Sequence, residues 1–146
     1  MFEPGRVYVR RELHDLFGGS RQSGISPSAT HKLIFLFTGS TGEQYGYHDG
    51  WSTDGIFRYS GEGQSGDMEF TRGNRALRDH MIDGRDLHLF ERIAKGQVRY
   101  IGQMEYVGHD IVSRVQDRDS SLRSAIVFRL RPIGRYLTSQ GTVSTD

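Results

Sequence analysis

Apolar and polar positions change places over short distances along this chain, which predicts many brief strands and few helices. Val7–Val9 reads as a short strand. Arg11–Phe17 follows with helical spacing, Leu13, Leu16 and Phe17 on one face and Gly18-Gly19 as its stop. Ser20–Thr30 is rich in small polar residues and reads as a loop. Lys32–Thr38 contains the longest apolar run, Leu33-Ile-Phe-Leu-Phe37, and predicts a buried central strand. Gln44–Tyr47, Ile56–Tyr59 and Asp67–Phe70 are further short strands. Asn74–Asp83 predicts a helix capped by Asn74, with Leu77, Met81 and Ile82 inside and Gly84 at its end.

Beyond that helix the pattern is strand after strand. Asp86–Ala94, Gln97–Tyr106, Ile111–Val115 and Ser124–Leu130 are separated by Lys95-Gly96, Gly108 and a turn at Arg118–Ser121. Strands and helices do not alternate, which argues against a parallel α/β sheet. The expected class is α+β: a strongly curved, mainly antiparallel sheet or open barrel with about two helices. Residues 1–137 are expected to form one domain and 138–146, rich in Ser, Thr and Gly, a flexible tail.

Composition narrows the function more than the fold. The chain has 146 residues, 35% hydrophobic and 25% charged, enough for one domain with a sizeable core. No apolar run approaches membrane-spanning length. Met1-Phe-Glu-Pro lacks the basic start and apolar stretch of a signal peptide, so a cytoplasmic location is expected and no membrane partner. With no cysteine, disulfides, thiolate zinc sites and cysteine nucleophiles are excluded. The formal net charge is +1 and the pI ≈ 8.1, which does not announce a nucleic-acid binder. Lys32 and Lys95 are the only lysines, however, and the remaining positive charge is arginine, whose planar fork fits phosphates and stacks on bases.

The densest information lies between Gly46 and Leu77. Tyr47, Trp51, Phe57 and Tyr59 occur there among Asp49, Asp54, Glu62, Asp67 and seven glycines. So many glycines weaken a core strand, and so many aromatics are foreign to a disordered linker. The combination predicts an ordered, tightly turned surface for a flat ligand with polar edges, such as a nucleobase.

The order of motifs resembles the SRA (SET- and RING-associated, YDG) domain, a reader of 5-methylcytosine. The matching residues are Gly46-Tyr47-His48-Asp49, Asp54-Gly55, Phe57-Arg58-Tyr59-Ser60-Gly61-Glu62-Gly63, Asp67-Met68 and Asn74-Arg75-Ala76-Leu77, with Ser23-Gly24-Ile25 upstream. The wording most resembles the N-terminal SRA domains of bacterial modification-dependent HNH endonucleases. That resemblance implies a PUA-like fold and binding of duplex DNA containing 5-methylcytosine, with 5-hydroxymethylcytosine as the alternative. The modified base would be flipped between Tyr47 and Tyr59, with Trp51 as a further wall. Asp49, or else Asp54, would accept from the cytosine amino group, although Asp-Gly is equally a turn dipeptide. Ser60 and Gly61 would let backbone approach the base and leave room for its methyl. Arg21, Gln22 and Ser23 would form the loop that probes the duplex, Gln22 filling the gap left by the base.

Eukaryotic relatives carry a basic finger where this chain has only Gln64-Ser65-Gly66. Little hemimethylation or sequence preference is therefore expected. The resemblance further implies methylated double-stranded DNA as partner, nucleoid association when bound, and a nuclease domain or subunit elsewhere. No catalytic residue, metal or cofactor is expected. Asp67-Met68-Glu69 lacks the lysine a nuclease carboxylate pair requires, and the six histidines do not cluster in sequence. The competing classes are a PUA-like RNA-binding module and a protein-interaction domain.

Overall fold

A computed structural model describes residues 1–39 and 48–145. Strand β1 (Val7–Val9) leads into helix α1 (Arg10–Phe17), then β2 (Ile25–Pro27), β3 (Leu33–Thr38), β4 (Gly50–Trp51) and β5 (Phe57–Ser60). Helix α2 (Arg72–Arg78) precedes β6 (Asp86–Ala94), β7 (Gln97–Gln116), β8 (Leu122–Thr138) and β9 (Gly141–Ser144). The strands form one mixed sheet in the order β2-β3-β6-β7-β8-β5-β4, with β1 on β7 and β9 on β8. Among the described residues only the β3–β6 pairing is parallel.

β3 is the spine, and its alternation divides the core. Ile34 and Leu36 join a cluster with Tyr59, Leu77, Leu89, Met104 and Phe128. Leu33 and Phe35 face the other way, beneath α1, with Leu13, Phe90, Val98 and Tyr100. Phe2 enters this second cluster and touches six rings, from Tyr8 to Tyr100. A strand buried on both sides requires an unbroken apolar run, which is what Leu33–Phe37 supplies.

Curvature comes from β7 and β8. Their pairing shifts register at Gly102/Gln103, Tyr106/Gly108 and Val112/Val115, and such bulges bend the strands and deepen their twist. At Gly102 a Cβ would lie 2.9 Å from Cβ of Tyr136, so the strands approach there as only glycine permits. The curl carries β5 round toward β3. Tyr59 of β5 places its hydroxyl 3.0 Å from the carbonyls of both Gly24 and Phe37. The sheet thus nearly meets itself without closing into a hydrogen-bonded barrel.

Several expectations change. Gln97–Tyr106 and Ile111–Val115 are one strand, because Gly108 (φ 140°) is absorbed as a bulge. Asp67–Phe70 is a loop that borrows Ser124 for its backbone hydrogen bonds. The helix expected from Asn74 to Asp83 starts two residues earlier and ends at Arg78, followed by turns through Gly84. Met81 and Ile82 are consequently exposed rather than inside, as is Leu16 of α1. Within the segment expected as a tail, Gly141–Ser144 folds back on Arg135–Thr138 as β9. The strand expected at Gln44–Tyr47 lies outside the described residues.

One core contact makes stability depend on pH. His88, 6% exposed, shares a 2.8 Å hydrogen bond with the Tyr100 hydroxyl. Burial lowers its pKa from 6.5 to about 4. The unfolded chain therefore binds this proton more tightly than the folded one. The stabilisation is complete above pH 6.5 and is lost as pH falls toward 4. At 1.36 kcal/mol per pKa unit the loss approaches about 3 kcal/mol. Chemical denaturation at a series of pH values should show this slope, and His88→Gln should flatten it.

Candidate nucleic-acid interface

A cavity of about 870 Å³ opens where β3, β5 and the Ser20–Ile25 segment meet. Its size is in the range of small-ligand clefts, roughly 300–1,000 Å³. Phe37, Thr38, Asp49, Tyr59, Ser60 and Gly61 line its inner part. Tyr59 is 2% exposed, and its hydroxyl is tied to the two carbonyls named above. Burial first, then the carboxylates of Asp49 and Glu62, push that hydroxyl's pKa well above its ordinary value. It remains a neutral donor, so the ring is fixed in place.

Asp49 directly precedes β4. Its Oδ1 accepts the backbone N–H of Ser60 at 2.7 Å and its Oδ2 the hydroxyl of Thr38 at 2.6 Å. Burial raises the Asp49 pKa, while these two hydrogen bonds pull the other way. Each carboxylate oxygen has a second acceptor direction, so Asp49 is held rigidly with acceptor capacity to spare.

The next turn is built on Asn74. Its side chain accepts from Glu62 N at 2.8 Å and donates to the carbonyls of Glu62 and Glu69 at 2.8 and 2.9 Å. Asn74 is therefore not the helix cap, which falls to Thr71, but a buried clasp for the cavity floor. This also changes the role expected of Gly61. A Cβ there would meet Asn74 Oδ1 at 2.9 Å and the Ile126 carbonyl at 3.2 Å. The glycine makes room for the protein's own clasp, not for a methyl group. Glu62 leans back to accept the Gly73 N–H at 3.2 Å, and partial burial raises its pKa.

The outer rim carries Arg21, Gln22 and Ser23. Gln22 is exposed, and Arg21 pairs with Asp15 of α1. The loop is held from beneath by Arg10, whose Nη2 donates to the carbonyls of Ser20 at 3.1 Å and Ser23 at 2.7 Å. The same guanidinium lies 3.7 Å over the Phe37 ring and donates through Nε to His14 Nε2 at 3.1 Å. Burial lowers the Arg10 pKa to about 10, still charged at neutral pH. His14 can accept this bond only as the neutral ring with its proton on Nδ1, facing the Gly18 carbonyl at 2.8 Å. Burial lowers the His14 pKa in keeping with that role.

The structure thus gathers Asp49, Tyr59, Ser60, Gly61, Arg21, Gln22 and Ser23 around one cavity. Two expected residues stand apart. Trp51 faces Phe57, at the end of β5 remote from the cavity, and packs between Phe57 and Tyr136 at 5.2 and 5.3 Å. Asp54 is a turn residue whose pKa is lowered by the Ser52 hydroxyl and then the Ile56 N–H. Tyr47 lies outside the described residues. Arg10, Thr38 and Asn74 were not anticipated in these roles. Thr38, a polar residue closing an apolar strand, carried a faint signal; Arg10 carried none. Among the described residues no group of three or more His, Asp or Glu side chains could hold a metal ion, and no helix is long and apolar enough to cross a membrane.

Comparison with known proteins agrees with this architecture. The family model of ScoMcrA-like SRA domains matches residues 4–144, and the chain belongs to that family. Its fold superposes on the type IV phosphorothioation-dependent restriction endonuclease ScoMcrA with a TM-score of 0.71, at 24% identity over 91% of this chain. The chain spans 28% of that enzyme's length. The SRA domain of SUVH5, solved with hemimethylated CG DNA, aligns with a TM-score of 0.64 at 22% identity, covering 90% of this chain and 89% of that one. The modification-dependent endonuclease AspBHI aligns with a TM-score of 0.63 at 16% identity, covering 90% and 69%. No curated protein matches. The fold is that of an SRA domain: α+β, with a curved and mainly antiparallel sheet.

If Arg10 organises the rim, its removal must loosen the loop. Arg10→Met keeps the stem packing and loses the fork. It should cost about 2 kcal/mol, since hydrogen bonds from a charged donor contribute roughly 1.5–3 kcal/mol. Limited trypsin digestion followed by mass spectrometry should show cleavage after Arg21 accelerating several-fold, ahead of cleavage elsewhere.

Proposed function

We propose that this chain binds duplex DNA containing 5-methylcytosine, or its 5-hydroxymethyl form, by flipping the modified base into the cavity beside Tyr59. It is a recognition module, and any nuclease domain or subunit that acts with it is separate. The observation that carries this reading is Asp49. A carboxylate fixed by Thr38 and Ser60, facing a cavity beside a buried aromatic ring, suits an acceptor for the cytosine amino group. A stacked base cannot reach such a recess, so it must be extruded, at a cost of a few kcal/mol. Gln22, exposed on the rim, fills the gap in this reading. Tyr47, the second stacking face implied by the family motif, belongs to the same reading.

The relatives support modified DNA as the ligand class, since SUVH5 was solved with hemimethylated DNA and ScoMcrA is phosphorothioation-dependent. We favour the base over a backbone sulfur because the polar groups here converge on a recess of nucleobase dimensions or larger. The deciding experiment is a titration of one duplex carrying cytosine, 5-methylcytosine, 5-hydroxymethylcytosine or a phosphorothioate, at fixed salt, with RNA as competitor. A buried methyl contributes about 0.8 kcal/mol, so the methylated duplex should bind at least about fourfold more tightly than the plain one. Preference for phosphorothioate or RNA would reject the reading.

Asp49→Asn tests the acceptor directly. The amide can still accept from Ser60 and donate to the Thr38 hydroxyl, so the fold is retained. Its remaining N–H repels the cytosine amino group. Affinity for methylated duplex should fall about tenfold, or 1.4 kcal/mol, while weak phosphate-driven binding stays unchanged. Equal losses on both duplexes would count against the assignment.

Strand discrimination is a separate matter. Gln64-Ser65-Gly66 reaches at most about 10 Å when extended, less than the roughly 12 Å width of the major groove. Hemimethylated and symmetric duplexes, in CpG and other contexts, should therefore bind with similar affinity per site. A difference above tenfold would show that another segment inspects the second strand.

A further inference from the structure

The β7–β8 hairpin runs past the rest of the sheet. Pairing of β6 with β7 reaches only Met104, and pairing of β5 with β8 only Val127. Residues 111–126 extend beyond both. This arm is nevertheless anchored, because the Gly63–Gly66 turn is bound along its end. Arg118 N donates to the Gln64 carbonyl at 2.7 Å, and Gly66 N to Asp117 Oδ2 at 2.9 Å. The Ser65 hydroxyl donates to Asp119 at 2.8 Å. Arg123, 5% exposed, donates to the carbonyls of Gly63 and Gly66 at 2.8 and 3.0 Å.

That turn is also part of the cavity rim. Gly63, Gln64, Val115 and Arg123 line the same cavity as Arg21, Gln22 and Ser23. The rim thus has two separately anchored edges, one fastened to α1 by Arg10 and one fastened to the arm.

The arm carries a local distortion. Between Val112 and Val115 there is one residue more than on the opposite strand, and Arg114 takes up the excess at φ 61°. A non-glycine residue there is strained and persists only where its surroundings enforce it. The bulge buries Val115 at the cavity and leaves Ser113 and Arg114 exposed. Arg118 is exposed at the tip, where its Nη1 donates to Gln64 Oε1 at 3.2 Å and its Nε lies 3.8 Å from Asp119, surface contacts that a phosphate can replace.

We infer that the β7–β8 arm is a second DNA grip, in which Arg114 and Arg118 hold backbone phosphates beside the flipped nucleotide. This rests on the modified-DNA reading. An extruded nucleotide lies on the boundary between the two grooves, so protein on either side of its recess meets backbone. Arginine and serine are phosphate donors. The acids of the arm are largely taken up by its own turn: Asp117 accepts the N–H groups of Gly66, Asp119 and Ser121, and Asp119 accepts from Ser65 through the oxygen that does not face Arg118. Phosphate contacts carry no sequence information, so the grip adds affinity without strand or context preference.

The test is fluorescence anisotropy on the methylated duplex at several salt concentrations. Arg114→Ala should weaken binding five- to twentyfold and reduce the slope of log affinity against log salt by about 1. Arg114→Gly fits the left-handed backbone and should fold at least as stably, yet bind as weakly as the alanine variant. Arg135→Ala, near the far end of β8, removes the same charge and should stay within twofold. Equal affinity and slope for Arg114→Ala and the parent, with methylated DNA still bound, would overturn the grip while leaving the base-reading proposal intact. Failure of the parent to bind any modified duplex would overturn both.

Discussion

The hydroxyl of Tyr59 is the point on which the molecule's shape turns. In sheet order β5 is four places from β3, yet this hydroxyl is shared between carbonyls of Gly24 and Phe37. It fastens one limb of the curled sheet to the other without strand pairing. The Gly24 carbonyl already accepts the Phe37 N–H at 2.8 Å, so the hydroxyl adds a second partner there and ties β5 to a seam that backbone pairing has begun. The same bond fixes the ring that walls the cavity, so the curl and the site stand or fall together.

The remaining polar architecture follows one rule: side chains satisfy backbone groups that the curled sheet leaves unpaired. Asn74 serves Glu62 and Glu69, Arg10 serves Ser20 and Ser23, and Arg123 serves Gly63 and Gly66. Each clasp spans a turn at the cavity rim or floor. The rim is hydrogen-bonded at both edges for that reason, although its sequence of serine and glycine would pass for loose loop. Preorganised loops lose less freedom on binding than mobile ones.

Much of this was legible before the structure. The apolar run at Leu33–Phe37 and the turn signals announced the class, and Asp49 and Tyr59, singled out in sequence, line the cavity. The failures have physical causes. Helical spacing through Met81 and Ile82 was real, but the chain turns after Arg78 and leaves both exposed. Asn74 has the composition of a cap and the role of a clasp, because its partners, Glu62 and Glu69, sit in a loop whose path no local pattern reveals. Trp51 looked like a base wall and is a packing residue, since a ring opposite Phe57 is placed by strand register, not by its chemistry. Arg10 was invisible because its carbonyl partners carry no sequence signature.

The single parallel pairing has a consequence for how the molecule assembles. β6, β7 and β8 are joined by tight turns, so they meet at little cost in chain entropy. The β3–β6 pair must instead close over residues 39–85, and the logarithmic dependence on loop length makes that closure about 3 kcal/mol dearer than a two-residue turn. Those residues include Asp49, Tyr59, Gly61 and Asn74. The recognition surface is therefore a late guest on a meander that forms from local contacts. Positions in that segment outside the Tyr59 fastening and the core can be rewritten without disturbing the nucleus that folds first, which gives a family of such domains freedom to change the mark it reads while keeping its frame.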